Sequence, residues 1–173
     1  RFVDASKHLK DGANEIRLVP SGSLQAMFTA TATAYLPWKD PRRPTKQAFE
    51  IDVAYDRSRL AKDDQVRVDV TVKSNLPGIA KMGIVDLGVP PGFTISPDAL
   101  EAAVKKGVLQ RYALAGRQII LYVAEFDPKK PLKVRYDLRA RFPVRVATGS
   151  ARAYEYYDPS NVGLTPPSQI VVE

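Results

Sequence analysis

The chain has no cysteine and a single histidine in 173 residues. The first absence excludes disulfides, thiolate metal sites, cysteine nucleophiles and any thioester built from a cysteine of this segment. It also means that the fold does not depend on an oxidising compartment, without assigning the chain to the cytoplasm. The one histidine, His8, lies in a polar stretch near the N-terminus. A catalytic triad or a zinc site needs partners that this stretch does not supply, so no chemistry is assigned to His8. No GxGxxG, GxxxxGK[ST] or GxSxG string occurs, which removes the common phosphate-binding loops and the nucleophile elbow. Uninterrupted apolar runs are a few residues long, far short of the roughly 20 that a membrane helix needs. Arg1 and the short apolar pair Phe2-Val3 are followed by mixed polar residues and not by an apolar signal-peptide core. The chain is therefore expected to be an excised piece or a mature fragment.

What is present is an ordinary globular composition with a basic excess. Hydrophobic residues make up 45%, enough for a real core. The formal charge is +7, from 26 basic and 19 acidic residues. Residues 1–46 carry 8 basic and 4 acidic side chains, and residues 47–173 carry 18 and 15, so the excess is spread thinly. The densest basic patches are Lys39 to Lys46, with Arg42 and Arg43, and Lys129-Lys130 with Lys133. Elsewhere basic residues alternate with apolar ones, as at Arg135, Arg139, Arg141 and Arg145. That pattern reads as solvated strand faces, and no nucleic-acid partner is expected.

The periodicity is β. Near the N-terminus, Glu15–Val19 and the threonine-rich Leu24–Leu36 read as strands around a Pro20-Ser21-Gly22-Ser23 turn. Pro37 to Thr45 has three prolines, four charges and no apolar period beyond Trp38, and reads as a linker. Trp38 reads as a buried anchor. Seven strands follow: Ala48–Tyr55, Gln65–Val72, Met82–Val89, Gln118–Val123, Leu132–Phe142, Ala151–Tyr157 and Gln169–Val172. In the second, Val66, Val68, Val70 and Val72 share one face, as in a half-buried antiparallel strand. The third is almost wholly apolar and ends at Pro90-Pro91-Gly92, so it reads as buried on both faces. Its one acid, Asp86, needs a partner, and an arginine is expected to supply it. The fold class is thus all-β, an antiparallel sandwich.

One segment breaks this rhythm. Ser96 reads as an N-cap, Pro97 as the first helical residue and Asp98 as a first-turn acid. Leu100, Ala103 and Val104 make one apolar face. Lys105 and Lys106 suit the negative C-terminal end, and Gly107 suits the position after it. A short helix is predicted at about 97–106, leading directly on from the buried strand. It is too short to stand alone and must dock through Leu100 and Val104.

Candidate chemistry is sparse. The carboxylate pairs Asp63-Asp64 and Glu125 with Asp127 lie in turn-like segments and read as solvated turn acids. Their spacing does not match a calcium loop. In a strand, Tyr154 and Tyr156 would share one face and Tyr157 would take the other, so at least one of those faces is read as core.

Taken in order, several pieces resemble the C-terminal receptor-binding macroglobulin domain of the alpha-2-macroglobulin family. They are the valine strand at 65–72, SNLPGIAKMGIVDLGVPPGF at 74–93, the helix with GVLQRYAL at 107–114, GRQIILYV at 116–123, RARFPVRV at 139–146 and YEYYDP at 154–159. The resemblance covers about 47–173 and implies a macroglobulin/immunoglobulin-like sandwich carrying one helix. Residues 1–38, with HLKDGANEIRL at 8–18 and SLQAMFTATATAYLPW at 23–38, are similar to the second half of the family's CUB-type β-domain. The implied domains are 1–38, a linker at 39–46, and the sandwich at 47–173.

Family members trap proteases: a bait region is cut, the molecule rearranges, and a buried thioester is exposed to link the attacker. The resemblance therefore implies a non-catalytic recognition and structural domain of an endopeptidase inhibitor, with a bacterial flavour in its LPW ending. It implies an extracytoplasmic, periplasmic or envelope-associated location. Its partners would be the other domains of a parent chain and, through that chain, target proteases, with no cofactor and no direct membrane contact. In vertebrate members the contact with a clearance receptor includes lysines on the helix. Lys105 and Lys106 are the corresponding candidates here, although they come late in it. The competing reading is a free-standing adhesion or glycan-binding sandwich that uses Tyr154 and Tyr156.

Overall fold

The computed structural model describes residues 3–10, 12–19, 27–33, 37–40 and 46–173. The chain forms two compact units, Arg1–Tyr35 and Leu36–Glu173. In the first, the regular element among the described residues is a 3-10 turn at Ser6–His8. The strand expected at 15–19 is not formed, nor is the described part, 27–33, of the one expected at 24–36. Residues 24–26 and 34–36 lie outside the described residues, as do 41–45 of the predicted linker. A strand needs a hydrogen-bonded neighbour and a layer to bury its apolar face. Here Ile16, Leu18, Val19, Met27 and Phe28 are all exposed.

The second unit is the sandwich. Its strands begin with β1 (Phe49–Tyr55), β2 (Arg59–Leu60), β3 (Gln65–Ser74), β4 (Ala80–Gly88) and β5 (Phe93–Ser96). After the helix α1 (Asp98–Lys105) come β6 (Arg111–Ala115), β7 (Gln118–Phe126), β8 (Leu132–Ala140), β9 (Val144–Ala147), β10 (Ala151–Glu155), β11 (Val162–Thr165) and β12 (Gln169–Val172). One sheet has the order β1-β3-β8-β5 and the other β11-β10-β4-β7-β6. A third, β2-β12-β9, contains a parallel pair, β2 with β12.

The antiparallel sandwich with one short helix stands as the sequence reading has it. Val66, Val68, Val70 and Val72 are buried and face Val85, Leu87, Ile119 and Leu121 of the opposite sheet in one core. Phe49 and Phe126 join the two sheets with ring centroids 4.7 Å apart. Phe126 takes up its position because residue 83 is glycine: a Cβ there would collide with the Phe126 ring. At Met82 the backbone enters the left-handed region, with φ 58°. The inward parity of β4 changes there, from Ala80 on one side to Gly83 and Val85 on the other.

Both seams of the sandwich are closed. On one side β1 meets β11, where a Cβ at Gly163 would collide with the Phe49 carbonyl. The Gln47 amide also clasps this edge, donating to the Leu164 carbonyl at 3.3 Å and accepting the Leu164 N–H. On the other side α1 connects β5 to β6, with Leu100 fully buried. The helix begins at Asp98, not Pro97, and Ser96 does not cap its backbone. Ser96 closes β5 instead, and its hydroxyl bonds the Asp98 carboxylate at 3.2 Å. The buried strand β4 thus leads first into β5, and only then into the helix.

Candidate functional site

The two outer faces of the sandwich differ in kind. That of the four-stranded sheet is a ladder of self-paired charges. Asp69 and Arg135, opposite each other in register, pair at 2.6 Å, and Arg67 and Asp137 at 3.7 Å. The Asp69 carboxylate, through its hydrogen bond and its charge, raises the pKa of the Arg135 guanidinium. These pairs are open to water and add little stability. They pair off part of the charge on this face.

The outer face of the five-stranded sheet is aromatic. Register places Val162, Tyr154, Ile84, Tyr122 and Arg111 in one row across five strands. Ile84, flanked by two tyrosines, is only 6% exposed although it points away from the core. Arg111 stacks on Tyr122, its guanidinium carbon 3.7 Å from the ring centroid, and Arg152 lies 4.4 Å over Tyr154. Arg152 also pairs with Asp86 at 3.9 Å, which supplies the arginine partner expected for that acid. Guanidinium on a ring face is favourable and orders both side chains.

Beside this row Tyr156 and Tyr157 stand clear of the sheet, 51% and 74% exposed, in an edge-to-face pair at 5.2 Å. Tyr156 donates its N–H to the carbonyl of the left-handed Met82 at 2.8 Å. Met82, Tyr122, Arg111, Gln110, Tyr156 and Tyr157 line a hollow of about 260 Å³. The strand alternation expected through Tyr157 fails because β10 ends at Glu155. The signal was in the next residues: Asp158-Pro159-Ser160-Asn161 is a turn, with Asp158 accepting the N–H groups of Ser160 and Asn161. The fully buried tyrosine is Tyr136, in β8. Its hydroxyl has no hydrogen-bond partner, and burial pushes its pKa far up.

The helix lysines, Lys105 and Lys106, are both exposed, and among the described residues neither has an ion-pair partner. Gly107, at φ 70°, donates to the Val104 carbonyl and Val108 to that of Ala103, a Schellman closure that fixes where the helix stops. Lys106 lines a groove beside the β7–β8 turn, and Lys105 does not.

The remaining candidates have local partners. His8 lies exposed in the 3-10 turn. Asp63 forms ion pairs with Arg139 and Arg141, each at 3.5 Å, and Asp64 accepts the Ala61 N–H at 3.0 Å. Glu125 is bound to Lys81. Asp127 accepts the Lys129 N–H at 2.8 Å within its turn. Trp38, 37% exposed, lines a pocket with Gln47, Val162 and Leu164.

Comparison with known proteins agrees with this architecture. The A-macroglobulin receptor binding domain family matches residues 79–165. No curated protein matches the whole sequence significantly. A crystal structure of native alpha-2-macroglobulin from Escherichia coli, spanning domain MG7 to the C-terminus, superposes with a TM-score of 0.65 at 15% identity, covering 78% of this chain and 25% of that one. The native Escherichia coli protein seen by cryo-electron microscopy gives 0.64 at 14% identity, covering 78% of this chain and 10% of that one. A Salmonella alpha-2-macroglobulin mutant gives 0.63 at 12% identity, with the same coverage. This chain therefore spans a quarter or less of the proteins whose fold it shares. Its helix-bearing sandwich is the segment the family match falls on, and the chain belongs to the A-macroglobulin receptor binding domain family.

Proposed function

We propose that the chain is the non-catalytic C-terminal recognition and structural domain of an alpha-2-macroglobulin-like protease inhibitor of a bacterium, working in the periplasm or cell envelope. Residues 1–38 are read as the second half of a CUB-like domain, residues 39–46 as a linker, and 47–173 as the receptor-binding-like sandwich. The partners are the other domains of the parent chain and, through it, target proteases. Lys105 and Lys106 are read as partner-facing residues.

The observation that carries this reading is the contrast between the two outer faces. Contiguous apolar and aromatic surface on an outer face marks an interaction site. Here one face carries an apolar and aromatic row with stacked arginines, the composition of an interface core. No helix among the described residues is long and apolar enough to cross a membrane.

The test is to express the complete reading frame with and without residues 47–173 and incubate each product with trypsin. The expected result is that the complete protein shields large substrates from trypsin while small ones are still cut, and that the truncated protein does not. Equal shielding by both, or by neither, removes this reading. The exposed Tyr156–Tyr157 pair favours a second reading, a glycan-binding module. Binding on a glycan array that disappears with Tyr156→Ala would establish it.

A further inference from the structure

We propose that the hollow at the opposite end of the five-stranded face from Tyr156 and Tyr157 is a binding site for a saccharide that carries a carboxylate. The site goes beyond both readings above. It shares no residue with the Tyr156–Tyr157 hollow, and it does not depend on protease trapping.

Three pieces of chain meet there: the end of β4 at Gly88, the turn between β6 and β7 at Arg117, and the loop from β9 to β10 at Thr148 to Ser150. A Cβ at Gly88 would lie 2.8 Å from the Gly149 Cα, and one at Gly149 would lie 3.0 Å from the Gly88 Cα. The loop therefore lies directly on the strand because both residues lack a side chain. Ala115 and Ala147 add only methyl groups to the walls. What remains is a hollow of about 810 Å³, inside the range of roughly 300–1,000 Å³ typical of small-molecule sites. Its walls are fixed without a ligand. Thr148, 5% exposed, donates its N–H to the Ser168 carbonyl at 2.7 Å and accepts the Ser168 N–H on its hydroxyl at 2.8 Å. Val89 donates its N–H to the Arg117 carbonyl at 2.9 Å, which holds the β6–β7 turn against the end of β4. A preformed wall lowers the ordering cost of binding.

The rim is rich in donors. Arg152 comes from β10 and Arg117 from the turn that leads into β7, and β4 lies between those two strands in the sheet. Ser150 and Gln118 add a hydroxyl and an amide. Asp86 is the one carboxylate that lines the hollow, and its contact with Arg152, at 3.9 Å, is longer than a hydrogen bond. Arg117 has no ion-pair partner among the described residues. Two guanidinium groups thus face one carboxylate, and donors and an acceptor are both on offer. This combination selects the ligand. A single inorganic anion is too small to use both arginines, because two inter-strand steps set β10 and β7 about 10 Å apart. A nucleobase calls for a stacking side chain, and no aromatic residue lines the hollow. An apolar ligand would strip water from Asp86 and the arginines without replacing its hydrogen bonds. A sugar acid meets all of these groups. Its carboxylate takes charge-assisted bonds from an arginine, and its hydroxyls pair with Asp86, Ser150 and Gln118.

The test titrates the isotopically labelled 173-residue chain with digalacturonic acid in about 50 mM salt and follows its amide NMR shifts. Saturable shifts are expected at Gly88, Arg117, Gly149 and Ser150. Arg117→Ala is expected to weaken binding at least about fivefold. Ala115→Phe, which fills the hollow without removing a polar group, is expected to weaken it at least about tenfold. Tyr156→Ala, at the other end of the face, is expected to change it less than about twofold. The neutral disaccharide galactobiose is expected to bind at least about fivefold more weakly than the acid. Arg117 and Ala115 are exposed, and unchanged circular dichroism will show that their variants fold. Absence of shifts, or a loss with Tyr156→Ala as large as with Arg117→Ala, overturns the proposal. So does equal binding of galactobiose, of inorganic phosphate or of a tetraglutamate peptide. Trypsin shielding is read on the complete parent protein, so its loss would leave this site standing.

Discussion

Tyr136 is an interior hydroxyl with nothing to bond. It sits opposite Val68, and on the other side of Val68 lies Tyr55, so two phenols share one buried row. Burial raises the pKa of both above the usual 10.0. A raised folded-state pKa means that the folded protein holds these protons more tightly than the unfolded chain does. Their contribution is intact below the unfolded value and is lost as the pH climbs past it. Fluorescence-monitored unfolding is therefore expected to set in above about pH 10, with Tyr136→Phe moving the onset upward. The same substitution removes an unsatisfied polar atom, and it is expected to stabilise the protein by about 1 kcal/mol, or 2–4 °C in Tm. A lower Tm for Tyr136→Phe would show that the hydroxyl has a partner in solution. This tyrosine was invisible in the sequence as a special residue, because Leu132–Phe142 alternates like any strand and nothing local marks an orphaned oxygen. Asp86 was the opposite case: an acid inside an apolar run announced its need for a cation, and Arg152 answers it.

At the scale of elements, length decided most of what was legible, the four-residue β12 being an exception. The valine alternation of β3 and the apolar run of β4 extend over nine or ten residues and can be read directly. The strands β2, β5, β6, β9 and β11 have two to five residues each. Such pieces show no period of their own and exist because a neighbour offers hydrogen bonds. The helix was legible from its end, where Gly107 stops it, better than from its start, where Ser96 belongs to a strand. Its docking rests on Leu100. Leu100→Ala is expected to cost about 2–5 kcal/mol, measured by urea unfolding, and to speed hydrogen exchange in α1 and β6 before the rest. A cost below about 1 kcal/mol would mean that the helix is held by its connections and not by its core contact. The aromatic face was half legible. The tyrosines are conspicuous, but the turn after Glu155, which directs two of them outward, interrupts the strand period that their spacing suggests.

The sandwich as a whole has one solvated charged face and one aromatic face, with both seams covered. Several arginines are paired with neighbouring carboxylates or laid on rings. The Gln47–Leu164 clasp has a mechanical consequence. It lies where the chain enters the sandwich and ties residue 47 to one 117 positions later. Tension arriving from the N-terminal side reaches this clasp before it reaches any strand of the core. The two hydrogen bonds then act as a fuse: they hold β11 against β1 at low load and give way before the sheets shear. Gln47→Ala is expected to lower the first rupture force of the 173-residue chain in an optical trap while leaving the main unfolding event in place. A single unchanged rupture would mean that the load passes straight into β1.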